Sequence, residues 1–389
     1  MGAAPQRTIL FLGADAAYLH AFRGPLMRWF QARGYRVVAV AAVLDGFDPA
    51  VFAAGGVTFH AWPLKKASLD PIGDLTPLMT LWRVLRREQP DLLFAHTIKP
   101  VIYGVILSAL AGVKRRSVMI PGLGYAFTEG TGLKRRLVGW LARHGYRTAL
   151  ARAHMAIFQN PDDVAALRQT GALPAATPTG LVNGSGVDMD HYVPGPWPDG
   201  PPRFLMVARL LRDKGVVEFI EAARHVRRRL PDARFVLVGG TDPNPAAIAQ
   251  AEIDAWVAEG LIEAPGQTGD PRPYYADCHV FVLPSYREGT PRTNLEAMAM
   301  ARPIITTDVP GCRQTVIHGE NGLMVPARDG RALGEAMLAL AGDMEAARRM
   351  GLAGLRMCRE RFELAAVTAE TGALIMGDGG PPDPDRTPT

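Results

Sequence analysis

The chain has 389 residues, 48% of them hydrophobic and 21% charged, which suits two ordinary packed α/β domains or one large one and excludes extensive disorder. Its three cysteines, Cys278, Cys312 and Cys358, build neither a disulfide framework nor a zinc site, so a reducing compartment suits them. The net charge of +5 divides unevenly: residues 1–180 hold 21 Lys+Arg against 10 Asp+Glu, and the rest of the chain is acidic, which predicts two units facing different partners.

In chain order, Thr8–Leu12, Arg36–Ala42, Asp91–Ala95, Ser117–Ile120 and Met155–Phe158 read as buried strands, with amphipathic helices over 22–33, 74–88, 98–112, 133–150 and 161–170. The first apolar run, Ile9–Leu12, is too short for a signal peptide. The longest, Val101–Val113, falls short of the ~20 residues that cross a bilayer and predicts a buried helix. Gly184 through Pro202, with Pro194-Gly-Pro-Trp-Pro-Asp-Gly-Pro-Pro at its end, reads as a hinge linker. Beyond it, Arg203–Val207, Ala233–Val238, Val280–Leu283 and Pro303–Thr306 are predicted strands, and 214–230, 245–259, 293–301 and 329–341 predicted helices. The alternation specifies two parallel sheets, each covered by helices on both faces. The expected domains are a front lobe over 1–183, the hinge over 184–202 and a back lobe over 203–360. A C-terminal helix over 361–376 returns to the front lobe, and a disordered tail follows over 377–389. Ligands of open parallel sheets bind beyond the carboxyl ends of the strands, so the crevice enclosed by the lobes is the default active site.

The densest cluster of chemistry-bearing residues is Leu283-Pro-Ser-Tyr-Arg-Glu-Gly-Thr-Pro-Arg-Thr-Asn-Leu-Glu-Ala-Met-Ala299. A strand ends at Leu283, a loop runs through Glu288, Gly289, Thr290 and Pro291, and a helix begins with Thr293 as its expected N-cap. Backbone N–H groups at such a helix start favour an anion, for instance a diphosphate. Glu288 and Glu296 can each grip a pair of sugar hydroxyls, because a carboxylate offers several acceptor sites. Thr293-x-x-Glu296 also spells a capping box, which needs no ligand, and on the residues alone both readings stand. A second cluster, Val207-Ala-Arg-Leu-Leu-Arg-Asp-Lys-Gly-Val216, places Arg209 after a strand and Lys214 before a helix. A guanidinium fork and an ammonium point charge there suit a diphosphate leaving group; solvated surface charge is the bland alternative.

Arg209…Lys214-Gly215, Val238-Gly-Gly240, Pro284-Ser285 and Glu288-x7-Glu296-Ala-Met-Ala together resemble the family-4 retaining glycosyltransferases of GT-B fold. His96-Thr-Ile-Lys-Pro-Val-Ile-Tyr-Gly104 and Gly122-Leu-Gly-Tyr-Ala-Phe-Thr128 resemble a bacterial subgroup that builds O-antigen, capsule or glycoprotein glycans on undecaprenyl diphosphate. The lipid-linked N-acetylgalactosaminyltransferases are among its members. The resemblance runs over about residues 8–375. It implies two Rossmann-like lobes and a UDP-sugar donor, with Arg209 and Lys214 on the donor diphosphate and Glu288 on the donor sugar. It implies Glu296 on the ribose diol, and Gly289, Thr290 and Pro291 as the loop approaching sugar and phosphate. His96 then lies near the transferred sugar, with Lys99 beside it on the acceptor side. No metal or other cofactor is implied. Where many members carry Gly-Gly after the first strand, this chain has Gly13-Ala-Asp-Ala-Ala-Tyr18, a bulkier acceptor-side loop.

The basic, amphipathic segment Gly132–Arg152, with Leu133, Leu137, Trp140 and Leu141 on one face, reads either as a helix docking on an anionic bilayer or as a core-facing helix with a solvated basic side. The charge surplus of the front half favours the bilayer, and with it a cytoplasmic protein peripheral to the inner face of the cell membrane. Asp188-Met-Asp190 matches a metal-holding D-x-D but lacks converging ligands. No Walker P-loop, Rossmann G-x-G-x-x-G or nucleic-acid signature occurs. Two readings stand beside the transferase: a UDP-sugar epimerase of the same fold, and a non-catalytic subunit of a glycan-assembly complex.

Overall fold

The computed structural model describes residues 6–44, 46–65, 73–123, 133–242, 244 and 246–377, without the side chains of 133–138. The chain forms two units, residues 1–185 with 365–389, and residues 186–364.

The first unit is built on seven parallel strands: β1 (Thr8–Leu12), β2 (Arg36–Ala41), β3 (Thr58–Ala61), β4 (Leu92–His96), β5 (Arg115–Ile120), β6 (Met155–Phe158) and β7 (Thr179–Leu181). Their order is β3-β2-β1-β4-β5-β6-β7. β1, β4 and β6 are buried at every position, as strands covered on both faces must be, which is why their sequences are unbroken apolar runs. The crossovers are α1 (Ala16–Gln31), α2 (Ala50–Ala54), α3 (Leu75–Glu88), α4 (Ile98–Leu110), α5 (Leu133–Leu150) and α6 (Pro161–Gln169). α4 packs against both α3 and α5, so the three make one layer. Asp15 caps α1 by accepting from the Tyr18 N–H at 3.2 Å, and the helix therefore starts six residues before the predicted 22. The run Val101–Val113 supplies α4, whose buried face is Pro100, Val101, Gly104, Val105 and Ser108. Among the described residues no helix is long and apolar enough to cross a membrane.

The second unit carries six parallel strands: β8 (Arg203–Val207), β9 (Arg234–Val238), β10 (Glu263–Gly266), β11 (Val280–Leu283), β12 (Ile304–Thr307) and β13 (Gly322–Val325), in the order β10-β9-β8-β11-β12-β13. Around them lie α7 (Val216–Arg227), α8 (Gln250–Ala258), α9 (Arg272–Asp277), α10 (Arg292–Ala299), α11 (Gly330–Gly342) and α12 (Met344–Arg361). α13 (Leu364–Met376) belongs to the first unit, where the Arg115 guanidinium donates to the carbonyls of Ile375 at 2.5 Å and Leu374 at 3.3 Å.

Residues 186–202 are not the free linker their Gly/Pro content suggested. Val187 and Tyr192 are core residues of the second unit and Trp197 packs against that core, and Val187 bridges to Glu363. The buried Arg302 holds the segment by donating to Pro196 O at 3.2 Å. A proline-rich chain gives up few backbone donors and little entropy when it lies flat on a core, so the same composition serves a strap as well as a hinge.

Both sheets reverse the direction of strand addition once, between β1 and β4 and between β8 and β11. At such a switch point the loops leaving the two central strands turn opposite ways and open a crevice within the unit. The candidate residues collect at these two places.

Candidate active site

In the second unit, Arg209 and Lys214 follow β8, and the loop 284–291 follows β11. The two segments are laced together by main-chain contacts. Tyr286 N–H donates to Asp213 O at 2.9 Å, Ser285 Oγ donates to the same carbonyl at 3.2 Å, and Thr307 Oγ1 donates to Ser285 O. Gly215, at φ +77°, lies against the Pro284 carbonyl so closely that a Cβ would overlap it. Lys214 sits in a 3-10 turn, Arg212–Lys214, ahead of α7 rather than in its first turn.

That lacing brings Lys214 and Glu288 together across 74 positions of sequence, with Nζ 2.6 Å from Oε1 and each side chain only 15% exposed. Arg209 is more open and pairs with Asp242 at 3.2 Å. The Glu288 main chain is fixed by its N–H donating to Pro310 O at 3.0 Å. Gly311, at φ +85°, leaves room for the Glu288 and Gly289 carbonyls that any side chain would overlap. Gly311 N–H in turn donates to Gln314 Oε1 at 2.7 Å. Gly289 and Thr290 are half-buried and Pro291 is buried on the loop that ends here.

The expected N-cap at Thr293, and the capping box with it, are corrected. α10 starts at Arg292 with Pro291 as N-cap and no side-chain cap, because proline's fixed φ already suits a helix entry and moves it two residues earlier. The Glu296 carboxylate turns inward instead. It accepts from Tyr275 OH at 3.0 Å and from Tyr192, and pairs with Arg292 at 3.0 Å. Burial pushes its carboxyl above the usual glutamate value in spite of these partners. Burial, with this carboxylate beside them, pushes both tyrosines up as well. Glu296 is thus an ionisable group that the local fold does not need as a cap.

In the first unit His96 ends β4 at the switch point, 1% exposed. Burial first, then the charge of Arg23, hold its pKa down to about 3, so the imidazole is neutral. Lys99, one turn on in α4, is committed elsewhere: its ammonium donates to both Asp74 oxygens at 2.9 and 2.8 Å and to Lys65 O at 3.1 Å. The structure therefore groups Lys214 with Glu288, sets Arg209 and Glu296 in the same unit, and ties Lys99 into the α3–α4 corner. Residues 124–128 of the second front-half motif, the side chains of 133–138 and the tail 378–389 lie outside the described residues.

Sequence reasoning missed Arg23, Asp242, Tyr192 and Tyr275, which carry no local signature. Gly311 alone was findable, as a glycine shortly after a buried strand. Asp188 accepts from the N–H groups of Asp190 and His191 at 3.0 and 3.1 Å, a turn-forming use of that side chain. Among the described residues no three His, Cys, Asp or Glu side chains converge as a metal centre would require.

Comparison with known proteins places one family model on each unit: "Glycosyl transferases group 1" on residues 201–343 and "Glycosyl transferase 4-like domain" on residues 21–184. The N,N'-diacetylbacillosaminyl-diphospho-undecaprenol alpha-1,3-N-acetylgalactosaminyltransferase of Campylobacter jejuni is 27% identical over 346 residues, 86% of this chain and 89% of that protein. The Escherichia coli UDP-Gal:alpha-D-GlcNAc-diphosphoundecaprenol alpha-1,3-galactosyltransferase is 26% identical over 69% of this chain and 70% of its own. Sucrose-phosphate synthase from Thermosynechococcus elongatus shares the fold, with a TM-score of 0.78 at 22% identity over 96% of this chain and 99% of that one. With a glycosyltransferase model on each parallel-sheet unit and a full-length fold match, the chain is a glycosyltransferase of GT-B fold, with a 4-like domain in its first unit and a group 1 domain in its second.

Proposed function

We propose that this glycosyltransferase moves a hexose or N-acetylhexosamine from a UDP-sugar to a polyprenyl-diphosphate-linked sugar, with retention at the anomeric carbon, in the assembly of a surface polysaccharide or glycoprotein glycan. The observation that carries the reading is the Lys214–Glu288 pair at 2.6 Å, which sets a cation for phosphate beside a carboxylate for sugar hydroxyls. The names of the Campylobacter and Escherichia relatives supply the substrate classes.

In this reading Lys214 and Arg209 bind the donor diphosphate and stabilise the charge that grows on it as the anomeric C–O bond breaks. Glu288 accepts from hydroxyls of the donor sugar and tolerates the positive charge developing on the ring. Gly289, Thr290 and Pro291 shape the wall beside sugar and phosphate, and Glu296 accepts from the ribose diol. The acceptor hydroxyl attacks on the face the diphosphate vacates, its oxygen forms the new glycosidic bond, and its proton passes to the departing phosphate. Glu288 is not cast as a covalent nucleophile, because its carboxylate is engaged by Lys214 on the phosphate side. His96, neutral and at the switch point of the first unit, serves the transferred sugar and acceptor. No metal takes part in this reading.

Docking on the inner face of an anionic cell membrane is supported by α3. Leu75, Met79 and Trp82 are exposed along one stripe opposite the buried Pro77, Leu81, Val84 and Leu85. Arg86 continues the stripe with its guanidinium carbon 5.9 Å from the Trp82 ring centre. On α5, Trp140 and Leu141 are exposed too. Outward apolar and aromatic side chains among arginines suit the interface of an anionic bilayer.

The test is a mass-spectrometric screen of UDP-hexoses and UDP-N-acetylhexosamines with lipid-linked sugar acceptors. One pair should give product that Lys214→Ala and Glu288→Ala abolish without loss of folding. Full activity in both variants refutes the assignment, and conversion of the UDP-sugar without acceptor points to an epimerase. Flotation with anionic but not zwitterionic vesicles, lost in Trp82→Glu, tests the membrane arm.

A further inference from the structure

Two arginines are buried to the same degree and used in opposite ways. Arg302, 1% exposed in the second unit, donates from Nε to Tyr275 O at 2.9 Å and from Nη2 to Ala276 O at 2.9 Å and Pro196 O at 3.2 Å. Carbonyl oxygens wrap its fork, which is how a fold buries a guanidinium for structural ends. Arg23, on α1 and 3% exposed, makes one bond, from Nη1 to Ser185 Oγ at 3.2 Å. Among the described residues its Nε and Nη2 meet no acceptor and no carboxylate pairs with it. A buried cation with one neutral partner is expensive to keep.

The surroundings repeat the pattern. Among the described residues neither His96 ring nitrogen has a side-chain or backbone hydrogen-bond partner, nor does Thr97 Oγ1 next to it. Thr97 also holds φ +71°, ψ 165°, a left-handed conformation that a β-branched residue avoids. Tyr18 meets the His96 ring edge-on at 5.6 Å. The Gly13 backbone lies so close that a Cβ would come within 3.0 Å of His96 Cε1 and 3.1 Å of Nε2. Gly13, His96 and Thr97 stand at the carboxyl ends of β1 and β4, the switch point of the first sheet, and Arg23 is near enough for its charge to act on His96 and to interact with Tyr18. The spare hydrogen-bonding capacity is dominated by donors: two guanidinium sites, one hydroxyl and one imidazole N–H. A sugar hydroxyl can accept as well as donate, but it brings no negative charge to a positively charged place. An oxyanion with several oxygens completes it.

We propose that Arg23, with His96 and Thr97, is a receptor in the first unit for a phosphoryl group of a substrate diphosphate, separate from the Arg209 and Lys214 cations of the second unit. The transferase reading supplies the two diphosphates in question, and because that reading already gives the nucleotide donor's to Arg209 and Lys214, the polyprenyl acceptor's is the one assigned here. Arg23 keeps its charge without a counter-ion among the described residues because the ligand brings one.

The test uses full-length protein, wild type and Arg23→Met, titrated calorimetrically with farnesyl diphosphate, with UDP and, in a Lys214→Ala background, with inorganic pyrophosphate. Farnesyl diphosphate and pyrophosphate should bind Arg23→Met at least ~10-fold more weakly while UDP stays within about twofold, and the melting temperature should hold or rise. A loss confined to UDP and pyrophosphate keeps the receptor and moves it to the donor. Unchanged affinity for all three probes overturns the proposal, and a fall in melting temperature alongside it marks Arg23 as structural. Should Arg23→Met fail to fold, Arg23→Lys, which gives up the planar fork, decides by the same titrations. A wild type that binds neither UDP nor farnesyl diphosphate refutes the transferase reading, and the pyrophosphate arm still settles Arg23.

Discussion

Lys214 and Glu288 neutralise each other at 2.6 Å, so under the proposed assignment a donor diphosphate would have to compete with Glu288 for the Lys214 ammonium. The perturbation that exposes this is Glu288→Gln, which keeps the shape of the side chain and removes its charge. A hydrogen bond between charged groups contributes about 1.5–3 kcal/mol. The pair is partly exposed and Gln can still accept from Lys214, so the released competition is discounted to roughly 1–2 kcal/mol. At ~1.4 kcal/mol per decade, UDP alone should bind Glu288→Gln about 5- to 30-fold more tightly than wild type. UDP-sugar should not share the gain, because the variant also loses a charged acceptor for the sugar hydroxyls, and transfer should fall below detection. Calorimetric titration with UDP and with UDP-sugar reads both numbers. If UDP binds Glu288→Gln no better than wild type, the ammonium serves phosphate and carboxylate together from its three N–H groups and the competition does not exist.

Gly311→Ala should displace the Glu288–Gly289 carbonyls and weaken UDP-sugar by more than about tenfold with a stability loss of ~1–3 kcal/mol; Gly269→Ala, which meets open space, should do neither, as calorimetry and thermal melts will show. His96 is held to about 3 in the fold and titrates near ~6.5 in an unfolded chain, so below that value the unfolded state gains a proton the fold refuses. Wild type should lose about 2 kcal/mol of stability to this residue between about pH 7 and pH 5, and His96→Gln should not, in denaturant titrations at the two pH values. For Glu296 the sign reverses: its raised acid binds a proton more tightly folded than unfolded, so its share of stability declines as pH rises above the usual glutamate value. UDP affinity should climb over the same window and be flat in Glu296→Gln, measured by calorimetry across pH.

What could be read ahead of the structure followed burial. β1, β4 and β11 are buried on both faces, and their runs of Leu, Ile, Val and Phe state it outright. β3 has no buried position and sits at the sheet edge. β10 contains Pro265 and pairs out of register with β9, and β7 has three residues. Neither apolar periodicity nor propensity marks such strands, because they are completed by the neighbour they pair with. α12 was missed for a different reason: its buried face is largely Ala and Gly, which leaves a weak apolar stripe to detect. The site divides along the same line. Lys214, Glu288 and Glu296 stand in motifs and were visible singly; that the first two touch, and that the third is buried against two tyrosines, depends on chain segments far apart in sequence.

The capping-box ambiguity at Glu296 shows what the fold adds beyond adjacency. Thr293 and Glu296 have the right spacing for a cap, but the N-cap of α10 is Pro291, two residues before the cap that spacing needs. Once the cap is gone, Glu296 faces inward, where burial opposes its charge more than Arg292 and the Tyr192 and Tyr275 hydroxyls offset it. A fold that wanted a neutral acceptor for the Tyr192 and Tyr275 hydroxyls had glutamine available at lower cost. Retaining a carboxylate there against burial, and at Arg23 in the other unit a guanidinium with no carboxylate partner among the described residues, leaves each switch point with an ionisable group that the fold only partly satisfies. Sites of that kind are stabilised by what binds them, so saturating substrate should raise the melting temperature more in the wild type than in variants that neutralise either charge.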